Sequence, residues 1–442
     1  MQSSESSSLQ NNPNEEISSD SVIQDIEKAP LWVVLLVWLL RLSVGSVFIV
    51  AGWAKCVDLW GTVIKFQEYF TAWQIDVPEA LIQVGAALMA GTELVLGVLL
   101  LFGCYRRASV WLMLCFMAVF LPLTFYIWRV NPVSDCGCFG DFMILSNQAT
   151  FLKNIVVTAA LVLLACFNKR VSGVFIPLTQ WIVVSVSVLY ALIVISIGVY
   201  SQPLVDFRRF EPGASIVSAK ATEGEDAEYM FIYSKDGETR EFDVENLPDS
   251  TWMFVDRRIV GGEETVVDGF AAYDGGDDVA SESFVDGKVL LITIPSTDNV
   301  LPMATLIDDI ATRADACGIT PFLILGGGES TVNDYVSDMM PTYQVLYAEP
   351  SALKELARGE IALTFIDDGV IEWKRTALSL SREFLQNYDD CSFEDLKPFG
   401  QPFMWMLTVS FGGGLVLFCM IDRGSLALFI LHRRRLRNKT KS

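Results

Sequence analysis

The sequence is poor in histidine and, over residues 201–400, in positive charge. Its 442 residues hold a single histidine, His432, and nine cysteines, none of them in a Cys-X-X-Cys spacing. Between residues 201 and 400, 15 Lys and Arg stand against 39 Asp and Glu. So acidic a segment argues against a nucleic-acid partner. The scarcity of histidine leaves few ligands for zinc, and we predict no metal site.

The first 30 residues lack the features of a signal peptide. They are rich in Ser, Asn and Glu, with no basic region before the first apolar run and no cleavage-site pattern. Such a polar composition cannot bury enough apolar surface to fold. We therefore expect residues 1–30 to form a disordered cytoplasmic arm.

Long apolar runs are what the chain has in excess. Hydrophobic residues make up 52% of it and the mean hydropathy is +0.40, although the net charge is −21. A helix needs roughly 20 residues to cross a hydrocarbon layer about 30 Å thick. Six stretches approach that length and predict transmembrane helices: 31–53, 83–103, 108–128, 152–168, 174–200 and 402–421.

Positive charge in the short connections predicts the orientation. Arg106 and Arg107 follow the second run, Lys169 and Arg170 follow the fourth, and the tail after the sixth is basic. Because Lys and Arg concentrate on the cytoplasmic side, both termini are predicted to lie in the cytoplasm. The chain is thus predicted to be a multi-pass protein of the bacterial inner membrane, in contact with the lipid bilayer. Residues 201–400 would then form a large periplasmic domain.

Two cysteines one glycine apart, in the stretch NPVSDCGCFGDF, fall in the connection after the third run. The predicted topology puts Cys136 and Cys138 outside, where disulfides persist, at the level where Lys55 and Cys56 emerge. A bridge between Cys136 and Cys138 would close a small, strained and oxidising ring. Alternatively, one of them bridges to Cys56 and leaves the other as an attacking thiol. An inert brace remains open. A metal site is the least favoured alternative, because three cysteines fall short of the usual zinc set.

Two charged residues lie inside predicted spans, Arg41 in the first and Glu93 in the second. A charge in hydrocarbon needs a partner or a polar cavity. Counted along the helix from the outer ends, Arg41 lies about 18 Å deep and Glu93 about 15 Å deep. We therefore predict that they form an ion pair that fixes helix register, with proton or ligand handling as the alternative.

Three stretches resemble the DoxX/MauE-type membrane proteins: RLSVGSVFIVAGWAKCVD, TELVLGVLLLFGCYRRAS and NPVSDCGCFGDFMILSNQATFLKN. That family, which includes the methylamine utilisation protein MauE, forms four-helix bundles associated with redox and disulfide handling. The resemblance covers roughly residues 35–200. It implies functional positions at Arg41, Gly52, Lys55, Glu93, Gly97, Cys136, Cys138, Gly140 and Lys153. Cys56 is outside the family pattern, and a resemblance of fold does not establish methylamine metabolism.

Residues 262–400 show strands alternating with helices. KVLLITI, TPFLILGGG and YQVLYA read as strands, VLPMATLIDDIATRADA and ESTVNDYVSDM as helices, and ALTFIDDGVIEWKR as a hairpin. This order resembles the thioredoxin-like fold of TlpA-type proteins. PSTDNV stands where thioredoxins carry Cys-X-X-Cys, which predicts a binding module without thiol activity. Cys317 is expected to be a small buried core residue, and acidic neighbours disfavour a thiolate at Cys391.

The predicted fold class is a mainly α membrane bundle with an extracytoplasmic α/β domain. The bundle has about six transmembrane helices, four of which form a DoxX/MauE-like core, and the α/β domain is thioredoxin-like. An upstream hairpin, EYMFIYSKDGETREFDV, indicates a β-rich connector. The predicted segments are a disordered arm, the bundle, the connector, a thioredoxin-like domain lacking Cys-X-X-Cys, and a last helix with a basic tail: 1–30, 31–200, 201–261, 262–400 and 401–442.

The predicted function is thiol–disulfide or electron transfer at the outer face, in support of a periplasmic client protein. The candidate catalytic residues are Cys136, Cys138, Cys56 and Lys55. The cofactor stays open, and a quinone near Arg41 and Glu93 is one candidate electron acceptor. A membrane scaffold with structural cysteines is the first alternative. A transporter or sensor that uses the two buried charges is the second.

Overall fold

A computed structural model gives the fold of most of the chain. The described residues are 30–131, 133, 136–143, 145–200, 202–217, 228–235, 238–243, 253–260, 269–296, 300–381, 384, 391, 393–398 and 400–439. The predicted cytoplasmic arm and residues 297–299 of the PSTDNV junction lie outside them. The chain divides into a membrane unit, Met1–Ile195 with Met406–Ser442, and an α/β unit, Ser196–Trp405.

The membrane unit consists of helices joined by short connections over its described residues. Its helices are α1 to α6 and a C-terminal helix: Leu31–Val57, Leu59–Ala72, Glu79–Phe102, Arg106–Val130, Asn147–Phe167, Gln180–Tyr200 and Gln401–Lys439. Within the described part of the chain, all except α2 correspond to the six helices that are long and apolar enough to cross a membrane, which confirms the predicted number. The sequence pattern does not predict α2, which lies in the connection between the first two predicted spans.

Helices α1 and α3 approach each other closely because glycines stand at their crossing. A Cβ on Gly52 would lie 2.4 Å from the backbone nitrogen of Leu94, and one on Gly97 would lie 2.7 Å from that of Ile49. Small residues of this kind let membrane helices come into backbone contact. Since the residue numbers in these pairs run in opposite directions, α1 and α3 are antiparallel and their register is fixed.

Helices α4 and α5 complete a four-helix core with α1 and α3. Buried apolar side chains from all four helices form one cluster, with residues such as Phe48, Leu100, Met113 and Leu161 at its centre. Large apolar side chains on other faces are exposed, among them Leu35, Leu88, Trp111 and Val156. A helix that is apolar both inside and outside a bundle is typical of membrane spans.

Helix α6 pairs with the C-terminal helix rather than entering the four-helix core. The rings of Tyr190 and Phe411 stack with centroids 4.2 Å apart, and the Tyr190 hydroxyl lies 2.8 Å from Thr408 Oγ1. Near the other end of the pair, Asp422 accepts hydrogen bonds from the Ile176 N–H and the Thr179 hydroxyl, at 2.8 and 2.9 Å. Polar contacts at both ends therefore fix this helix pair.

The described residues of the α/β unit form two sheets. Its strands β1 to β10 are Glu228–Lys235, Glu238–Asp243, Met253–Val260, Tyr273–Asp274, Asp277–Asp278, Lys288–Ile294, Thr320–Gly326, Gln344–Ala348, Ala362–Asp367 and Val370–Thr376. Its helices α7 to α10 are Ala280–Ser283, Val300–Ala316, Glu329–Met339 and Pro350–Leu356. The first sheet is antiparallel in the order β2-β1-β3, and the second has the order β10-β9-β6-β7-β8-β4-β5.

The sequence pattern predicted the larger sheet well. Strands β6, β7 and β8 are parallel, and β9 and β10 form the expected antiparallel hairpin beside β6. The hairpin β1–β2 also stands where EYMFIYSKDGETREFDV predicted it. This mixed sheet confirms an α/β domain, and its likeness to thioredoxin stays a prediction.

The expectation that Cys317 and Cys391 are unpaired cysteines was wrong. Their sulfurs form a disulfide across 74 residues of sequence, so neither is an isolated thiol. Cys317 follows the end of α8, and Cys391 is exposed close to the buried Phe393. They are the two cysteines of the acidic segment that was predicted to lie outside, and that shared compartment was the signal for pairing.

Replacement of Gly52 by alanine should destabilise the membrane unit. The added Cβ would overlap the backbone of Leu94, and overpacking of this kind costs about 1–3 kcal/mol. Gly412→Ala is the matched control, because a Cβ at Gly412 meets nothing within 4 Å. Thermal unfolding of the full chain in detergent, followed by circular dichroism, should show a lower midpoint for Gly52→Ala only. Equal midpoints for the two variants would contradict the close α1–α3 crossing.

Candidate functional site

A small cavity lies inside the four-helix core. Its volume is about 30 Å³, which is room for a water-sized group. Apolar side chains such as Phe48, Phe116 and Val157 form much of its wall. The polar side chains that reach it are Lys55, Glu93, Cys138, Lys153 and Asn154. One thiol, two ammonium groups and one carboxylate therefore share a confined space inside the bundle.

Lys55 and Glu93 form a buried ion pair across α1 and α3. The Lys55 Nζ lies 2.5 Å from Glu93 Oε2, and the two side chains are only 5% and 10% exposed. The pair depends on the glycine crossing, since Gly52 lies against Leu94, the residue next to Glu93. Loss of one partner of such a buried pair typically costs 3–5 kcal/mol.

The predicted ion pair between Arg41 and Glu93 is wrong. Arg41 instead donates from Nε and Nη2 to Asn168 Oδ1, at 2.8 and 2.6 Å. It also donates to the backbone carbonyls of Val171 and Ser172, at 2.9 and 3.1 Å. Five N–H donors let one guanidinium satisfy several carbonyl acceptors without a carboxylate.

Helix register explains this error. The prediction assumes that the outer ends of α1 and α3 are level, but α3 begins at Glu79, about 15 Å beyond the end of α1 at Val57. With Gly52 against Leu94, Glu93 is level with the end of α1. Arg41, 11 residues before Gly52 in sequence, is therefore about 16 Å away along the helix axis.

Cys136 and Cys138 lie side by side in the connection between α4 and α5. Both are free thiols, and their sulfurs are 2.9 Å apart. Gly137 has a φ of +66°, a conformation that side chains disfavour, and a Cβ there would lie 2.9 Å from Lys65 Cγ. The intervening glycine is thus required for the two sulfurs to approach each other on one side of the loop.

Helix α2 holds the cysteine loop in place. The Tyr69 hydroxyl donates to the Cys136 carbonyl at 2.9 Å, and Tyr69 stacks on Trp73. Cys136 packs against the apolar cluster around Tyr69, whereas Cys138 lines the cavity. The two sulfurs therefore have different surroundings. Sequence reasoning missed Tyr69 because it missed α2, although the apolar residues of TVIKFQEYFTAW do recur at helical spacing.

The two thiols are predicted to titrate very differently. A hydrogen bond from Cys136 is the main reason that the pKa of Cys138 falls to about 6, and the ammonium groups of Lys153 and Lys55 lower it further. The same hydrogen bond, with burial, raises the pKa of Cys136. Cys138 is therefore the thiolate of the pair at neutral pH, and Cys136 keeps its proton.

Helix α5 supplies Lys153 to the site. Its first turn is fixed by the Ser146 hydroxyl, which accepts from the Ala149 N–H, and by Asn147, which donates to Asn131 at the end of α4. The Lys153 ammonium lies 4.5 Å from the centre of the Phe139 ring. This cation–π contact keeps the ammonium beside the residue that follows Cys138.

Cys56 has a different position from the cysteine pair. It is a free thiol with no exposed surface, and it is absent from the residues that line the cavity. Cys136 and Cys138 have each other as neighbours instead. A catalytic role for Cys56 stays a prediction. Of the other residues predicted from the sequence, Lys55, Glu93 and Lys153 join Cys138 at the cavity.

Comparison with known protein families agrees with the architecture of this region. Residues 33–167 match the family described as methylamine utilisation protein MauE. This part of the chain is similar to the MauE family, and we refer to it as the MauE-type domain. The match covers α1 to α5, including the cysteine loop, and a second match, over residues 227–260, is to a domain of unknown function, DUF8463. No curated protein matches the chain.

Reactivity of Cys138 in the MauE-type domain should depend on pH in a defined way. Because a thiol must lose its proton to react, alkylation by iodoacetamide should rise with pH and reach half its maximum near pH 6. Lys153→Met removes a cation beside the thiolate, so the midpoint should move to higher pH. Lys169→Met, an equal change outside the cavity, should leave the midpoint in place. Peptide mass spectrometry gives the Cys138 rate separately from the other cysteines, and a wild-type midpoint near the ordinary value of about 8.5 would contradict the assignment.

Proposed function

We propose that the MauE-type domain donates disulfides to a client protein at the outer face of the membrane. The observation that carries this proposal is the pair of free thiols, 2.9 Å apart, with Cys138 in a cavity beside two lysines. Vicinal cysteines that differ in protonation are the arrangement that thiol–disulfide exchange requires. A cysteine pair that only braces the loop would need neither the nearby lysines nor a difference in protonation between its two thiols.

The exchange uses the two sulfurs in different roles. In the oxidised domain, a client thiolate attacks Cys136, a bond forms between the client and Cys136, and Cys138 leaves as a thiolate. Cys138 is the better leaving group because its pKa is the lower of the two. A second client thiolate then attacks the client sulfur of the mixed disulfide, and Cys136 is released and takes up a proton.

Regeneration of the disulfide requires a two-electron acceptor. The Cys138 thiolate and the Cys136 thiol join as a disulfide, giving up two electrons and one proton. A quinone in the bilayer, which becomes a quinol by taking two electrons and two protons, is the acceptor class that we propose. Its second proton comes from solvent.

The arrangement of charges favours this role over transport. The transporter or sensor alternative relied on Arg41 and Glu93 acting together, but they have separate partners at separate levels of the bundle. Arg41 is held by carbonyl oxygens, as expected of a residue that joins helix ends. The inner-membrane location, the cytoplasmic termini and the periplasmic position of the α/β unit belong to the same proposal, and the basic connections support them.

Single cysteine variants test the proposed roles. In Cys138→Ser, Cys136 can still attack a disulfide of the client and release one client thiol, but it has no second cysteine to displace the bound client sulfur. A mixed disulfide with the client should therefore accumulate in cells. In Cys136→Ser the remaining sulfur faces the cavity, and little adduct should form. Acid trapping, maleimide labelling and non-reducing electrophoresis measure the adduct, and mass spectrometry locates its bond.

Cys166→Ser is the matched control for these variants. Cys166 is an exposed free cysteine near the end of α5 and should leave exchange unchanged. Adducts in neither variant, with client function retained in both, would support a scaffold with structural cysteines. Equal adducts in the two variants would show that the sulfurs do not have separate roles.

A further inference from the structure

The α/β unit contains a second, larger pocket that the proposed thiol chemistry does not use. Its volume is about 710 Å³, within the range of small-molecule sites. It is lined by Ser196, Ile197, Tyr200, Leu204, Arg375, Ser379, Asp395, Lys397 and Pro398. All of these residues belong to the α/β unit, which begins at Ser196 inside the last two turns of α6.

The pocket stands where a membrane span ends. Helix α6 is one of the six candidate spans, and Tyr200 is its last residue. The Tyr200 carbonyl accepts a hydrogen bond from the Thr376 hydroxyl at 2.5 Å, at the end of β10. One wall of the pocket is therefore the end of a helix that is long and apolar enough to span a membrane. Lipid head groups lie at the ends of such spans.

Two cations and one carboxylate line this mostly apolar pocket. Arg375 donates to the Ser379 hydroxyl and carbonyl and to the Leu396 carbonyl, so three of its five N–H donors have these acceptors. Lys397 lies 3.6 Å from Glu372, and both side chains are exposed, which makes that pair weak. With Asp395 opposing them, the lining residues carry one net positive charge.

The outer wall of the pocket is held to the rest of the unit. Residues 393–398 are attached through the hydrogen bond from Arg375 to Leu396 and through Phe393, which is buried in the core. Two residues before Phe393, the disulfide joins Cys391 to Cys317 after α8. These attachments within and just before the wall indicate a pocket that exists before its ligand arrives.

We propose that this pocket binds one anionic phospholipid from the adjoining bilayer. Its phosphate lies between Arg375 and Lys397. The guanidinium and ammonium N–H groups of these residues donate charge-assisted hydrogen bonds to the phosphate oxygens. An acyl chain lies along Ile197, Leu204 and Pro398, which are apolar and continue from the end of α6. A lipid fits better than free phosphate, because most of the lining surface is apolar and offers a phosphate ion no hydrogen bond or opposite charge.

Photocross-linking tests this site in the full-length protein. The chain is reconstituted in nanodiscs with a phosphatidylglycerol analogue that carries a diazirine in its acyl chain, and labelled peptides are mapped by mass spectrometry. Peptides that contain Leu204 or Pro398 should be labelled, and Leu204→Trp, which fills the pocket, should lower that labelling at least threefold. Leu178→Trp is the matched control, since Leu178 is 81% exposed and outside the lining.

The head group is tested separately from the chain. Lys397→Glu should lower labelling by phosphatidylglycerol at the same peptides, and Lys354→Glu, an equal change of charge outside the lining, should not. A diacylglycerol analogue with the same diazirine lacks the phosphate and should label these peptides severalfold less. Labelling confined to the membrane helices, or labelling at Leu204 that is equal for both analogues or unchanged in Leu204→Trp, would overturn the proposal.

Discussion

A charged side chain inside a membrane bundle must have a partner, and the Lys55–Glu93 pair is the interaction on which the site depends. Its two side chains are almost fully buried and come from helices far apart in sequence. Only one register of α1 against α3 lets them meet. The cost of separating the charges in hydrocarbon therefore selects that register against its alternatives.

The glycine crossing and the ion pair act on the same geometry. Gly52 and Gly97 let the helix backbones touch, and this places the end of α1 beside the start of the cavity. The loop with Cys138 then closes over a cavity that already contains Lys55. If α1 and α3 stood one side chain farther apart, the Lys55 ammonium would lie farther from the Cys138 thiol. The pKa of Cys138 would then be closer to that of an ordinary cysteine.

The sequence predicted the bounds of helices and strands far better than the contacts between side chains. The helix VLPMATLIDDIATRADA and the strand KVLLITI have the predicted bounds because periodicity and capping are local. The partners of Arg41 and Cys317 depend on register and on chain segments 74 or more residues away, which no local pattern contains. The cysteine pair and Lys55 could be proposed from the Cys-Gly-Cys stretch and the predicted topology, and Lys153 from family resemblance. The cavity that Cys138 shares with the two lysines came from the three-dimensional packing.

The charges at the cavity bear on the direction of the proposed exchange. When Cys138 is a thiolate, the cavity contains two positive groups, Lys55 and Lys153, and two negative groups, Glu93 and Cys138. Formation of the Cys136–Cys138 disulfide removes one negative charge and leaves the groups at the cavity with one net positive charge. The reduced state is thereby stabilised relative to the disulfide, and a pair whose reduced state is stabilised is a strong oxidant. The bundle thus favours a domain that gives its disulfide away and relies on an outside acceptor to restore it.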